Sequence, residues 1–211
     1  MQKSLKKGLF ITFEGGEGCG KTTLIDSIEK ALKKNFQIIK TKEPGSTVLG
    51  DKIRKILLSK KGKFKISNFA ELCLYLSSRA QHIEEVILPG IEEKKIILCD
   101  RFNDSTIAYQ GYARELGFGK VENFCNFVSQ NLKPDITIYL DIDPKIGLKR
   151  LKSFDRLESE DISFHLRVKK AFEMLIEKEK DRFFIVNGEK SKKEVFEITF
   201  KFLLEKLKSY I

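Results

Sequence analysis

No stretch of this chain approaches the ~18 consecutive apolar residues that a membrane span requires, so no membrane association is expected. The N-terminus does not resemble a secretory leader either. Met1–Gly8 carries Lys3, Lys6 and Lys7 and runs straight into Leu9-Phe10-Ile11, with no apolar core and small-residue cleavage site. The four cysteines, Cys19, Cys73, Cys99 and Cys125, are scattered and form no C-x-x-C pair. They read as reduced thiols of a cytoplasmic protein rather than as a disulfide framework. Only His82 and His165 offer imidazole, which argues against a zinc site. Internal repeats, low-complexity tracts and linkers are also missing, so residues 1–211 read as one domain, with Lys60–Lys65 as a surface loop.

Acidic residues are the scarcer sign: 30 Asp and Glu against 40 Lys and Arg leave a net charge of +10. The excess lies in clusters such as Lys94-Lys95, Lys169-Lys170 and Lys192-Lys193, most with acidic neighbours. None is interleaved with aromatics in the stacking pattern that single strands need, so nucleic acid is not an expected partner. A basic field still helps to gather small polyanions.

What is present is a glycine loop. Gly15-Gly16-Glu17-Gly18-Cys19-Gly20-Lys21-Thr22 fills every fixed position of G-x-x-x-x-G-K-[ST]. Apolar, β-prone Leu9–Phe13 precedes it, and Thr23-Leu24-Ile25-Asp26-Ser27-Ile28 opens a helical pattern after it. Strand, glycine loop and helix together make a phosphate cradle: backbone N–H groups curl around phosphate oxygens and the helix adds its positive end. In such a loop Lys21 reaches the outer phosphates and the Thr22 hydroxyl faces Mg²⁺.

Further strands are expected at Gln37–Thr41, Lys95–Cys99, Asp135–Leu140 and Phe183–Val186, each short, apolar and rich in Ile, Val or Phe. Helical patterns lie between them, at Lys21–Lys34, Val48–Leu58, Asn68–Leu88 (stopping at Pro89-Gly90), Asp104–Ala113, Lys120–Asn131, Lys145–Lys152, Ser163–Lys180 and Lys192–Lys208. The alternation predicts an α/β fold: a five-stranded parallel sheet flanked by helices on both faces. Ile96-Ile97-Leu98-Cys99 ends in Asp100, followed at once by Arg101. Strand C-termini converge near the phosphate loop, so Asp100 is expected in the Mg²⁺ shell, through water, and Arg101 at an acceptor phosphate. The basic segment from Arg150 to Arg156 between two helical patterns suits a lid spanning about 150–160. No N-K-x-D stretch is present to read guanine.

Several longer phrases resemble the bacterial type of thymidylate kinase, a family of P-loop nucleoside monophosphate kinases. They are Phe10–Gly15, Thr41-Lys42-Glu43-Pro44-Gly45, Leu49–Arg54, Ser78-Arg79-Ala80-Gln81-His82 and Asp100–Gly111, in the family's order. The resemblance implies ATP-dependent conversion of dTMP to dTDP on the route to dTTP, with Mg²⁺, usually by a homodimer. It also implies roles. Gly15, Gly16, Glu17, Gly18, Cys19, Gly20, Lys21, Thr22, Thr23 and Arg150 match the ATP side. Glu17 also matches the acid at the dTMP sugar hydroxyl, and Arg54 and Arg101 the arginines at its phosphate. Tyr75 and Arg79, four residues apart on one helical face, match the stacking aromatic and the thymine-reading arginine. Thr106 and Gln110 match positions that hydrogen-bond the base edge, Tyr109 the aromatic packed on the deoxyribose, and Ser105 a further dTMP-binding position. Lys21, Arg101, Glu43 and the lid arginine Arg156 match catalytic positions.

The match has departures: Lys42 where arginine is common, Ser46 where a second glycine is common, Tyr75 for phenylalanine and Phe102 for tyrosine. Gly18 stands where some members carry a loop arginine, so the lid is expected to supply that charge. Two other readings stay open on the residues alone: a kinase of another nucleoside or nucleoside monophosphate, and a non-enzymatic nucleotide-binding module.

Overall fold

The computed structural model describes residues 4–59 and 65–211. All but Lys65 of the Lys60–Lys65 segment therefore lies outside the described residues. Strands β1 (Leu9–Gly15), β2 (Ile38–Lys42), β3 (Ile96–Asp100), β4 (Ile136–Asp141) and β5 (Phe183–Asn187) form one sheet in the order β2-β3-β1-β4-β5. Every pairing is parallel. Each strand predicted from sequence is found, with ends moved by a residue or two.

The helices are α1 (Lys21–Leu32), α2 (Val48–Leu58), α3 (Asn68–His82), α4 (Leu88–Glu92), α5 (Asn103–Thr106), α6 (Phe118–Val128), α7 (Pro144–Lys149), α8 (Ile162–Lys178) and α9 (Lys192–Leu207). Side chains alternate across β1 with the period of 2 that strands impose. Leu9, Ile11 and Phe13 join Leu24, Ile28 and Leu203 of α1 and α9, whereas Phe10 joins Ile83, Ile97 and Phe102 on the opposite face. A second cluster on that side, including Leu72, Tyr109, Tyr139, Val168 and Phe172, lies beneath α3 and α8. Both faces are covered, which is why the central strands read as apolar runs.

Most helix starts have the side-chain caps that their sequences offer. Thr47, Ser67, Asp143, Asp161 and Ser191 accept from N–H groups of the first turns of α2, α3, α7, α8 and α9. Helix α1 differs. Its cap is Gly20 in the left-handed region (φ 96°), with no side-chain cap, so its first N–H groups are left to bind an anion.

Two helical stretches depart from expectation. Asn68–Leu88 was expected to stop at Pro89-Gly90, yet the chain passes through a π-helical turn at Ile83–Ile87 directly into α4. Leu88 N–H bonds to the Ile83 carbonyl five residues back. Pro89 then falls in the first turn of α4, where its missing N–H is not needed. The expected helix Asp104–Ala113 is α only over α5 and turns π-helical from Ile107 to Ala113. The wide turn rotates Tyr109 and Gln110, and π segments of this kind concentrate at functional sites.

The glycine loop and α7 touch through backbone alone. A Cβ on Gly18 would lie 2.0 Å from the Gly147 carbonyl oxygen, and one on Gly147 would lie 2.2 Å from the Glu17 carbonyl oxygen. An arginine at position 18 is therefore incompatible with this contact. Replacing Gly147 with alanine overpacks it and is expected to cost about 1–3 kcal/mol in urea denaturation. Gly119→Ala, where the added Cβ meets nothing within 4 Å, is the control and should be neutral or stabilising by up to about 1 kcal/mol.

Candidate active site

The carboxyl ends of β1, β2 and β3 open into a cavity of about 730 Å³, within the range of small-molecule sites. The register explains the convergence: Phe13 pairs with Asp100, Lys42 also pairs with Asp100, and Gly15 pairs with Leu140. Strand order reverses at β1, which places the crevice at its end.

One end of the cavity is the glycine loop. Residues Glu17 to Thr23 line it, and Gly15 and Gly16 do not. Lys21 folds back over the loop and donates to the carbonyls of Gly15 (3.1 Å) and Gly16 (2.9 Å) and to Cys19 Sγ (3.3 Å). Its ammonium is thus held at the loop's centre. Thr22 Oγ1 donates to Asp100 Oδ2 at 3.1 Å, so the two oxygens expected near Mg²⁺ are side by side. They are hard donors and few, which suits an ion that keeps several waters.

Arg101 spans the middle. Its backbone is left-handed (φ 70°) directly after β3. Its guanidinium donates to the Gly15 carbonyl (3.1 Å), to Ser105 Oγ (3.0 Å) and to both oxygens of Glu17 (3.0 Å each), and lies 5.1 Å from the Tyr109 ring centroid. Tyr109 donates its hydroxyl to Glu17 at 2.6 Å. Burial works to raise the Glu17 carboxyl, but Arg101, Lys21 and Tyr109 outweigh it and hold it below the ordinary glutamate value.

The other end holds Arg54, Tyr75, Arg79, Thr106 and Gln110, which the resemblance assigns to dTMP. Arg79, only 1% exposed, pairs with Glu43 (2.7 Å) and donates to Thr106 Oγ1 (2.9 Å). Arg54 donates to the Pro44 carbonyl at 2.9 Å. Glu43, which the resemblance gives a catalytic position, lines the cavity as well. Arg79 occupies one of its oxygens and His82 Nδ1 the other, at 2.8 Å. Burial favours the protonated form of Glu43, and Arg79 and His82 reverse this, so its carboxyl is held low. Its observed work is to fix Arg79.

The lid also differs from expectation. Arg150, Leu151, Asp155, Leu157 and Glu158 face the cavity, and Arg150 donates to the Gly188 carbonyl at 2.9 Å. Arg156 does not face the phosphate loop. It pairs with buried Glu71 (2.6 Å) and donates to the Leu57 carbonyl (2.7 Å), which ties the 150–160 segment to helices α2 and α3. Burial decides this, because Glu71 is 1% exposed and an unpaired carboxylate there is costly.

Several residues were not anticipated. Glu14, fully buried, accepts from Phe102 N–H (2.7 Å) and Ser105 Oγ (2.6 Å) and so pins the turn that carries Arg101. Burial drives its carboxyl up to about 7, with Asp104 adding to the rise and Arg101 opposing it. Arg182 grips both oxygens of Asp104 (2.7 Å each) and anchors α5 to the sheet. Glu71 lies four residues before Tyr75 and eight before Arg79. That spacing was the available signal, since one helical face carries all three.

A family model described as thymidylate kinase matches residues 13–198. Among curated relatives, the thymidylate kinase of Protochlamydia amoebophila is 45% identical over 210 residues, covering 94% of this chain and 93% of that protein. The thymidylate kinase of Thermoanaerobacter sp. is 45% identical over 204 residues, covering 93% of this chain and 100% of that one. A crystal structure of thymidylate kinase from Ehrlichia chaffeensis superposes with a TM-score of 0.76 at 30% identity, covering 93% of this chain and 98% of that chain. On fold, site and sequence together, the chain belongs to the thymidylate kinase family.

Proposed function

We propose that this protein transfers the γ-phosphoryl group of ATP directly to a phosphate oxygen of dTMP, yielding dTDP and ADP. The observation that carries this reading is one continuous cavity with Lys21 in the glycine loop at one end and Tyr75, Arg79 and Gln110 at the other. Arg101 and Glu17 stand between the two ends. A phosphate acceptor is anionic at neutral pH, so no strong general base is needed. Catalysis is then positioning plus neutralisation of charge on the transferring group.

Lys21 is poised over the loop to meet the outer phosphates, and the uncapped start of α1 meets them with N–H groups. Thr22 and Asp100 would hold Mg²⁺, Asp100 through water, and the ion when bound neutralises charge on the phosphate oxygens. Arg101 and Arg54 face the acceptor phosphate. With Arg156 docked on Glu71, Arg150 is the lid arginine that reaches the donor side. Tyr75 stacks on the base, Arg79 donates to a base carbonyl, and Tyr109 packs against a sugar lacking the 2′-hydroxyl.

A homodimer, in the cytoplasm, completes the proposal. Phe69 of α3 and Phe124 and Phe127 of α6 are 59%, 47% and 83% exposed, on two helices that pack side by side. The cysteines are all free thiols, as suits a reducing compartment.

Lys21→Ala should lower kcat with dTMP and ATP by about 10²–10³-fold while circular dichroism stays native; near-normal turnover would remove Lys21 from the mechanism. Arg79→Ala should raise the KM for dTMP by about tenfold or more with little change for ATP, and equal effects on both would mean that the acceptor pocket is misplaced. In sedimentation, wild-type protein should run as a dimer and Phe127→Asp should shift it toward monomer. A wild type that stays monomeric at tens of micromolar would refute the dimer.

A further inference from the structure

Glu71 is a buried carboxylate for which the mechanism above has no use. Its oxygens gather Gln110 Nε2 (2.8 Å), Arg114 Nε (3.3 Å) and Nη2 (3.5 Å), and Arg156 Nη2 (2.6 Å). Arg114 also pairs with Glu160 at 2.6 Å. Helix α3, the π-helical segment and the lid therefore meet at this one side chain. A carboxylate paired with two guanidinium groups only accepts hydrogen bonds. It thereby dictates which way Gln110 faces. The amide nitrogen must point at Glu71, because the reverse orientation sets a carbonyl oxygen against a buried anion. Gln110 lines the cavity, and no donor among the described residues reaches its Oε1. The group that it can offer a ligand is an acceptor.

We propose that Glu71 is a specificity-determining positioning residue: by accepting the Gln110 amide it locks a hydrogen-bond acceptor beside the base edge. The pocket then selects a pyrimidine with an N–H donor at N3, as in thymine or uracil. Cytosine presents an acceptor at N3 and leaves Gln110 Oε1 facing a lone pair. Arg79, which has only donors, adds a preference for a carbonyl over an amino group at C4. Both preferences point to the imide edge. A glutamine at position 71 removes the constraint, because its own amide can donate to Gln110 Oε1 and let Gln110 turn over. The proposal rests on the dTMP reading given above.

The test is steady-state kinetics of the full-length protein at saturating ATP with dTMP and with 5-methyl-dCMP, which share sugar, phosphate and methyl group and differ only at the 3,4 edge. Wild type should prefer dTMP in kcat/KM by about 100-fold or more. In Glu71→Gln the KM for dTMP should rise about five- to tenfold, with kcat falling less and the KM for ATP unchanged. The preference for dTMP should fall by about tenfold or more. If Glu71 acts through Gln110, adding Glu71→Gln to Gln110→Ala should change the KM for dTMP by less than about twofold. Gln110→Ala alone leaves the ion pairs of Glu71 intact and must also narrow the preference, so the test survives a Glu71→Gln protein that does not fold. An unchanged preference in Gln110→Ala, fully additive effects in the double variant, or comparable wild-type use of both nucleotides would overturn the assignment while leaving dTMP phosphorylation standing. Wild-type protein that does not phosphorylate dTMP at all would overturn both.

Discussion

The ion pair between Arg101 and Glu17 is the constraint on which the site depends. It joins the end of β3 to the middle of the glycine loop, and through the Tyr109 hydroxyl it reaches the π-helical segment. Side-chain exposures of 18% and 13% place both partners largely out of water. Burying two charges repays its desolvation cost only when geometry and further hydrogen bonds are good. Here the guanidinium meets both carboxylate oxygens, a loop carbonyl and a serine hydroxyl. The glycine-loop end and the Tyr75–Arg79 end of the cavity are thereby held at one fixed separation, as the proposed in-line transfer requires.

Around that pair lies a layer of buried polar residues that hold one another. Glu14 holds the turn carrying Arg101, Glu43 holds Arg79, and Arg182 holds Asp104 of α5. Arg79 and the turn carrying Arg101 are thus fixed by carboxylates, whereas Lys21, Arg54 and Arg150 are held by backbone carbonyls. Such fully satisfied networks specify one arrangement of a polar interior, since a half-satisfied alternative is costly. Charge pairing with a buried carboxylate likewise puts Arg156 on Glu71, and it joins the 150–160 segment to α3.

The chemistry at the donor end was legible from sequence because it is local. Eight consecutive residues carry the cradle, and the strand before and helix after them follow from short-range patterns. The strands at Leu9, Ile38, Ile96, Ile136 and Phe183 were legible for a similar reason: apolar runs bounded by turns leave little alternative in a covered parallel sheet. Tyr75 and Arg79 stood out as a pair only through the family resemblance, since their four-residue spacing alone equally fits a core face. The π turns were not. Each depends on a one-residue excess in a helix whose local propensities look ordinary, and the helix tolerates it only because neighbouring elements hold the wide turn. Glu14, Glu71 and Arg182 carry no local signal, because a charged residue within an apolar pattern says nothing by itself about which distant residue will pair with it.

The sequence by itself determined the sheet, the phosphate loop and which residue types face the crevice, because periodicity and glycine chemistry act over a few residues. Tertiary structure alone decided which charges meet. Glu43 with Arg79, Glu71 with Arg156 and Glu17 with Arg101 are separated by 36 to 85 residues in the chain. Only the folded sheet brings them within hydrogen-bonding distance, and only exclusion of water makes the choice of partner matter.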